Sequence, residues 1–238
     1  MAAADTGIVT LESYVEGRWQ AGAGAPRVLV NPTTEAAVAE TSTEGIDFGA
    51  ALAFARTVGG PALRAMTFAE RGAMLRTLAE AIVTQRDRLL DLSTLNNGAT
   101  RSDAKFDVDG ASFTLTAYAE LGESLGDRRW LVDGEAEALL RSKRLAGLHV
   151  KTPRRGVAVH INAYNFPAWG LAEKAAVAWL AGMPVVTKPA TDTALTAWAL
   201  ARVLVDTGAL PAAIDRANPE EVFVSKMGAK ALANHFHL

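Results

Sequence analysis

The sequence predicts an α/β protein whose working part is a parallel sheet with flanking helices. Two observations carry that prediction. From Gly156 onward, short apolar strands alternate with segments of helix length, the strand–helix–strand–helix order that builds a right-handed parallel βαβ unit. Upstream, apolar residues recur at helical spacing over long stretches that end at glycine or asparagine.

The elements follow in order. Residues 11–45 read as short extended pieces: Tyr14-Val15 leads into Gly17-Arg18-Trp19, and Arg27-Val-Leu-Val30 stops at the turn signal Asn31-Pro32. Asp47 is placed to cap a helix with apolar positions at Phe48, Leu52 and Ala55, which should end at Gly59-Gly60-Pro61. Thr67 and Glu70 have the spacing of a capping box, in which each side chain satisfies a backbone donor left free at a helix start. Met74, Leu75, Leu78, Ile82, Leu89 and Leu92 then continue the helical pattern until Asn96-Asn97-Gly98 breaks it. A further helix is expected from Ser102 to Leu121, weakened by Gly110.

In the second half, Gly156–Ile161 is a strand, the turn 162–167 opens a helix to about Ala181, and Met183–Lys188 is a second strand. Thr193 to Val205 reads as the next helix, closed by Gly208. Ligands of such a sheet sit at the carboxyl ends of its strands. Residues 162–167 and 188–192 both fall there.

Composition narrows the function. The 238 residues are 50% hydrophobic and 21% charged, with a formal net charge of -2, which argues against nucleic acid or an anionic membrane as the main partner. No apolar run is long enough to span a bilayer, and the start lacks a basic region followed by an apolar core. A cytoplasmic protein is therefore expected. The chain has no cysteine, so disulfides, thiolate metal sites and thiol nucleophiles are excluded within it.

The stretch Pro153-Arg-Arg-Gly-Val-Ala-Val-His-Ile-Asn-Ala-Tyr-Asn-Phe-Pro167 resembles the Pro-x-Gly-Val … Pro-Trp-Asn-Phe-Pro signature of the aldehyde dehydrogenase superfamily. Leu180-Ala-Gly-Met-Pro-Val-Val-Thr-Lys-Pro-Ala190 is similar to the Lys-Pro strand that follows it, and agreement extends from about Leu11 to Pro211. Asn97-Gly98 to Asp109-Gly110, with Asn162–Trp169, look most like the branch of semialdehyde dehydrogenases that act on CoA thioesters in aerobic benzoate and phenylacetate breakdown.

The resemblance implies a partial Rossmann-like cofactor domain over residues 1–211, cut short before the catalytic domain, with a divergent tail over 212–238. It also implies an oligomerisation arm near 126–150, hence a homo-oligomer, and a small-molecule aldehyde substrate, CoA-linked in the branch named. In this family a thiolate attacks the aldehyde, and a side-chain amide stabilises the oxyanion that forms. By resemblance Asn165 is that amide. Alone it would read as a turn residue before Phe166-Pro167. Lys188 resembles the lysine that hydrogen-bonds the adenosine ribose of the cofactor; alone it would read as a solvated charge. Ile161, Asn162 and Thr187 are expected in the same cleft. Many NAD-preferring members carry a glutamate where this chain has Thr191. Its absence removes a charge that would repel a 2′-phosphate, so NADP is the expected cofactor, with NAD as the alternative.

Other features take the plainer reading. Tyr164 stands in the place of an aromatic tryptophan, and Trp169 and Trp179 are expected to pack their helix onto the sheet. Arg154-Arg155 with Lys151 reads as a solvated edge before a CoA-phosphate site, and His235-x-His237 as a tail end before a metal site. Asp107 and Asp109 face different sides of their helix. The Glu-Leu-Gly-Gly strand with its general base and the Gly-Gln-x-Cys nucleophile are absent, and Glu220–Gly228 only echoes the phosphate loop. The chain by itself is thus expected to be catalytically inactive. A non-catalytic NADP-binding or oligomer-partner role is the alternative.

Overall fold

A computed structural model describes residues 8–142 and 144–206. The extended region holds five short strands: β1 (Val9–Leu11), β2 (Ser13–Val15), β3 (Arg18–Gln20), β4 (Arg27–Val30) and β5 (Ala37–Thr41). β2 and β3 pair antiparallel across Glu16 and Gly17, whose φ values of 48° and 83° make the two-residue turn whose twist matches a hairpin. β5 lies between β1, parallel to it, and β4, antiparallel to it.

Helices follow where the caps place them. Asp47 accepts a hydrogen bond from the Ala50 amide at 2.9 Å and opens α1 (Phe48–Phe54). The expected stop at Gly59-Gly60-Pro61 does not occur. The helix widens into one π-turn over Ala55–Gly59 and continues as α2 (Gly60–Ala65). Pro61 falls in the first turn of α2, where its missing N–H forfeits no intrahelical bond. α3 (Phe68–Thr84) opens on the capping box: the Glu70 amide donates to Thr67 Oγ1 at 3.1 Å and the Thr67 amide to Glu70 Oε2 at 2.7 Å. The long apolar pattern is two helices, because the backbone turns out of α3 at Gln85 before α4 (Arg86–Asn97). Gly98 ends α4 with a φ of 68°, the left-handed C-terminal conformation that glycine adopts without strain.

α5 (Arg101–Leu125) starts on a Thr100 cap and runs one turn past the expected end. Gly110 sits inside it without breaking it, and packing explains why. A Cβ at Gly110 would lie 2.7 Å from the Trp169 indole. Trp169 stands edge-on to Phe106, with ring centroids 5.2 Å apart, and its indole N–H donates to Thr114 Oγ1 at 2.9 Å. It therefore fastens its helix to α5, and not to the sheet as the sequence alone suggests. Trp179 is fully buried among the apolar residues of the main core.

The remaining elements are β6 (Leu131–Ala138), β7 (Ala146–Lys151), β8 (Ala158–Ile161), α6 (Trp169–Leu180), β9 (Val185–Lys188) and α7 (Ala194–Asp206). β6 and β7 form an exposed antiparallel hairpin. β8 and β9 pair in parallel on either side of α6, from Ala158↔Val185 to Ile161↔Lys188, which is the βαβ unit read from the sequence. The principal core gathers Leu75 and Leu78 of α3, Leu115 of α5, Ala175 and Trp179 of α6 and Leu200 of α7. Val159 and Ile161 of β8 stay exposed. Gly208, the segment 220–228, His235 and His237 lie outside the described residues.

Two substitutions test this packing. Thr67→Ala removes one arm of the capping box and is expected to lower unfolding stability by about 1 kcal/mol in a urea titration. Gly110→Ala pits propensity against packing: alanine gains roughly 0.5–1 kcal/mol as a helix former, yet its methyl meets the Trp169 ring. The expected outcome is a lower Tm; a higher one would show that Trp169 does not hold α6 on α5.

Candidate functional site

Parallel pairing brings the carboxyl ends of β8 and β9 to one edge, so the chain leaves both strands in the same neighbourhood. Asn162, the first residue after β8, is buried and joins them. Its amide donates to the Lys188 carbonyl at 2.9 Å, and its Nδ2 donates to Thr187 Oγ1 at 2.7 Å. Thr187 is itself fully buried, so it contributes by holding Asn162 and not by offering its side chain to open space. Asn162 Oδ1 is buried without a partner. Ile161 is exposed at the end of β8.

The turn 162–167 is fixed at several points. The Thr193 hydroxyl donates to the Tyr164 carbonyl at 2.9 Å, tying this turn to the loop after β9. Asn97 Nδ2 reaches the Asn165 carbonyl at 3.4 Å. The Asn165 side chain is exposed. Phe166 packs against Phe106, centroids 5.9 Å apart. Tyr164, expected in a packing role, has an exposed ring.

On the other side, Lys188 is half-buried and its ammonium lies 3.5 Å from the Pro189 carbonyl, a distance that leaves its donors uncommitted. Thr191 opens a single 3-10 turn (Thr191–Thr193). Asp192 is committed to Arg27 in an ion pair of 2.6 Å, so its charge is compensated beside Thr191. Asn96, read from the sequence only as part of a helix stop, is buried and stitches this loop down. Its Nδ2 donates to the Asp192 carbonyl at 2.9 Å and to the Val30 carbonyl at 3.4 Å, and its Oδ1 accepts from the Leu195 amide at 3.2 Å.

Asp107, set aside in the sequence because it faces away from Asp109, is the second residue whose role only the structure shows. α6 has no capping side chain of its own, since Ala168 occupies its N-cap. Asp107 of α5 supplies the acceptor: Oδ2 takes the Ala168 amide at 3.2 Å and Oδ1 the Trp169 amide at 2.7 Å. Burial pushes the Asp107 carboxyl up to about 6, against the two amide hydrogen bonds that favour its charge. Asp109 faces the other way, as expected. Two hydrogen bonds from Arg86, 2.6 and 2.7 Å, hold it below the usual carboxylate range. A capless helix start after Pro167 was the available signal for Asp107, but naming its partner required the tertiary fold.

Asn165, Phe166, Asn97, Ser93 and Asp107 line a small cavity of about 170 Å³. Phe106 forms part of its wall and also part of a wider, mostly apolar groove of about 430 Å³ along α5, with Phe113, Trp169 and Lys105. A nicotinamide dinucleotide fits the polar groups present: a half-buried lysine with free donors at Lys188 and the Thr191 hydroxyl follow one another at the end of one strand. Among the described residues no group of three or more His, Cys, Asp or Glu is placed to hold a metal ion. No helix among them is long and apolar enough to cross a membrane.

Residues 19–218 match the aldehyde dehydrogenase family. The chain is 46% identical over 225 residues to 3,4-dehydroadipyl-CoA semialdehyde dehydrogenase of Aromatoleum evansii, covering 94% of this chain and 42% of that protein. It is 30% identical over 212 residues to the NADP(+) succinate-semialdehyde dehydrogenase GabD of Escherichia coli K12, covering 88% of this chain and 42% of the relative. Among solved structures, a NAD-dependent benzaldehyde dehydrogenase from Corynebacterium glutamicum superposes with a TM-score of 0.72 at 25% identity, over 88% of this chain and 44% of that one. The chain thus spans less than half the length of these relatives. With a family match over residues 19–218 and a relative 46% identical over 94% of this chain, the chain belongs to the aldehyde dehydrogenase family.

Proposed function

We propose that these residues form the cofactor-side half of an NADP-dependent enzyme that oxidises an aldehyde to a carboxylic acid, with a CoA-linked semialdehyde as substrate. The observation that carries this reading is the juxtaposition of Asn165 and Lys188 at the ends of two paired parallel strands, joined through Asn162. Asn165 presents an exposed amide to the oxyanion that forms when the aldehyde carbon is attacked, an interaction worth roughly 3–4 kcal/mol of transition-state stabilisation. Lys188 and Thr191 bind the adenosine ribose and its 2′-phosphate, with Ile161 on the same edge and Asn162, backed by Thr187, holding that edge in shape. When bound, the nicotinamide accepts the hydride that leaves the aldehyde carbon. The apolar groove running from Phe106 past Trp169 takes the substrate's carbon chain.

Similarity to the Aromatoleum evansii protein, named for a CoA-linked semialdehyde, supports the CoA-linked substrate, and the sequence resemblance to the benzoate and phenylacetate branch favours a role in aromatic-compound breakdown. Similarity to an NADP(+) enzyme and the lack of a carboxylate at Thr191 support the cofactor preference. Residues 1–211 are read as an incomplete cofactor domain. The exposed hairpin within 126–150, where Val132 opposes Val150 with both side chains open to solvent, is read as the arm that meets a second copy in a homo-oligomer. The cytoplasm is the compartment this reading favours. The 238 residues carry no cysteine, so on their own they bind the cofactor without oxidising aldehyde.

Isothermal titration of the chain with each cofactor tests the reading. NADP is expected to bind about tenfold more tightly than NAD, a difference of ~1.4 kcal/mol. Thr191→Glu should abolish that preference by setting a carboxylate against the 2′-phosphate. Lys188→Ala should weaken NADP binding more than NAD binding, and Asn165→Ala should change neither. Equal affinity of the unaltered chain for both cofactors would refute the proposed preference, and aldehyde-dependent reduction of cofactor by the chain alone would refute its dependence on a cysteine nucleophile.

A further inference from the structure

We propose that Asp107 is a positioning residue for Asn165: its carboxylate, reaching across from α5, holds the first two amides of α6 and thereby fixes the turn that presents the Asn165 side chain. The inference rests on reading Asn165 as the oxyanion donor.

The argument begins with what α6 lacks. The first amides of a helix have no intrahelical acceptor, and here Ala168 at the N-cap offers no side-chain oxygen. Pro167, just before it, has no amide to anchor. Asp107 answers with one oxygen to each amide, Oδ2 to Ala168 and Oδ1 to Trp169. Two separate bonds fix the carboxylate about its own axis, so the helix start is set in position as well as satisfied. Asn165 stands three residues before Ala168, with the stiff Phe166-Pro167 pair between them. A shift of the α6 start relative to α5 is therefore transmitted to the Asn165 amide. Asp107 and Asn165 also face the same small cavity.

Asp107 performs this task without a cation. On its own helix Asp103 faces the same cavity, α4 contributes Ser93 and Asn97, and the turn contributes Asn165 and Phe166. None of these is basic. The charge is compensated by the two amides and the positive end of α6, and burial raises the carboxyl to about 6. Ionised, Asp107 accepts both amides; protonated, it turns one oxygen into a donor and one amide loses its acceptor. The stability effect has the opposite sense. Because the folded-state value lies above the ordinary 3.8, the stabilising contribution of this group is complete below that value and is lost as pH rises through about 6. Asp107 thus fixes the turn most firmly in the pH range where it no longer adds to stability.

The test is nuclear magnetic resonance of the full chain, 15N-labelled at Trp and Asn, titrated from about pH 3 to about pH 8 to span both the ordinary carboxylate range and the raised one. The Trp169 amide and the Asn165 side-chain amide are expected to shift together with a midpoint near pH 6, and both should lose that step in Asp107→Asn. An Asn165 side-chain signal that stays flat while the Trp169 amide titrates would make Asp107 a helix cap and nothing more. Two flat signals in the unaltered chain would remove the proposal altogether, so the test does not require the variant to fold. These signals report geometry and not chemistry. Whether Asn165 meets a substrate carbonyl oxygen, as the proposed function requires, is judged separately, by whether aldehyde added to the same sample moves the Asn165 side-chain signal.

Discussion

The site depends on one pairing. β8 and β9 run parallel with Ile161 opposite Lys188, so the turn carrying Asn165 leaves the sheet beside Lys188 and the loop carrying Thr191. Side chains alternate along a strand, and a slip of one residue would turn every one of them to the opposite face. Asn162 guards against such a slip from the first position beyond β8, with one bond to the backbone of β9 and one to a buried hydroxyl on it. That residue spends its backbone and side-chain N–H groups on β9, so it serves the site by holding its two strands in register.

The helices turn that edge into a defined geometry. α4 ends on two adjacent asparagines that act on different loops: Asn96 binds the loop after β9, and Asn97 reaches the turn after β8. α5 and α6 fit closely because Gly110 makes room for the Trp169 indole, and Asp107 spans the same contact. An arrangement of this kind lowers the reorganisation needed when charge develops on a substrate, which is where pre-aimed dipoles gain their effect. Val159 and Ile161 of β8 are exposed while Val185 and Val186 of β9 are buried, so β9 is the strand that packs against the core and β8 is carried on it.

Much of this was legible in the sequence where the signals are local. The Thr67–Glu70 box, the Asp47 cap, the stop at Gly98 and the two strands around α6 each depend on residues a few positions apart, and each formed as expected. The misreadings share a different cause. Gly59-Gly60-Pro61 looks like a helix end because single-residue propensities say so, but a π-turn moves Pro61 into a first turn where it costs no hydrogen bond. Gly110 looks like a flaw in α5 until Trp169, far along the chain, is placed against it. Asp107 was weighed only against Asp109, and Asn96 only as part of a helix stop, because their partners lie 61 to 99 positions away and sequence spacing carries no trace of such bonds. Asn165, Lys188 and Thr191 were singled out by family resemblance and remain the proposed site; the structure adds which groups hold the turn and loop beside them.

The central claim is that the cofactor edge is already formed within these residues by the β8–β9 register. A crystal structure of the chain grown with NADP tests it most directly. The account predicts the adenosine ribose and its 2′-phosphate against Lys188 and Thr191, with the β8–β9 register unchanged. Cofactor bound elsewhere, or a register that shifts to admit it, would contradict the claim.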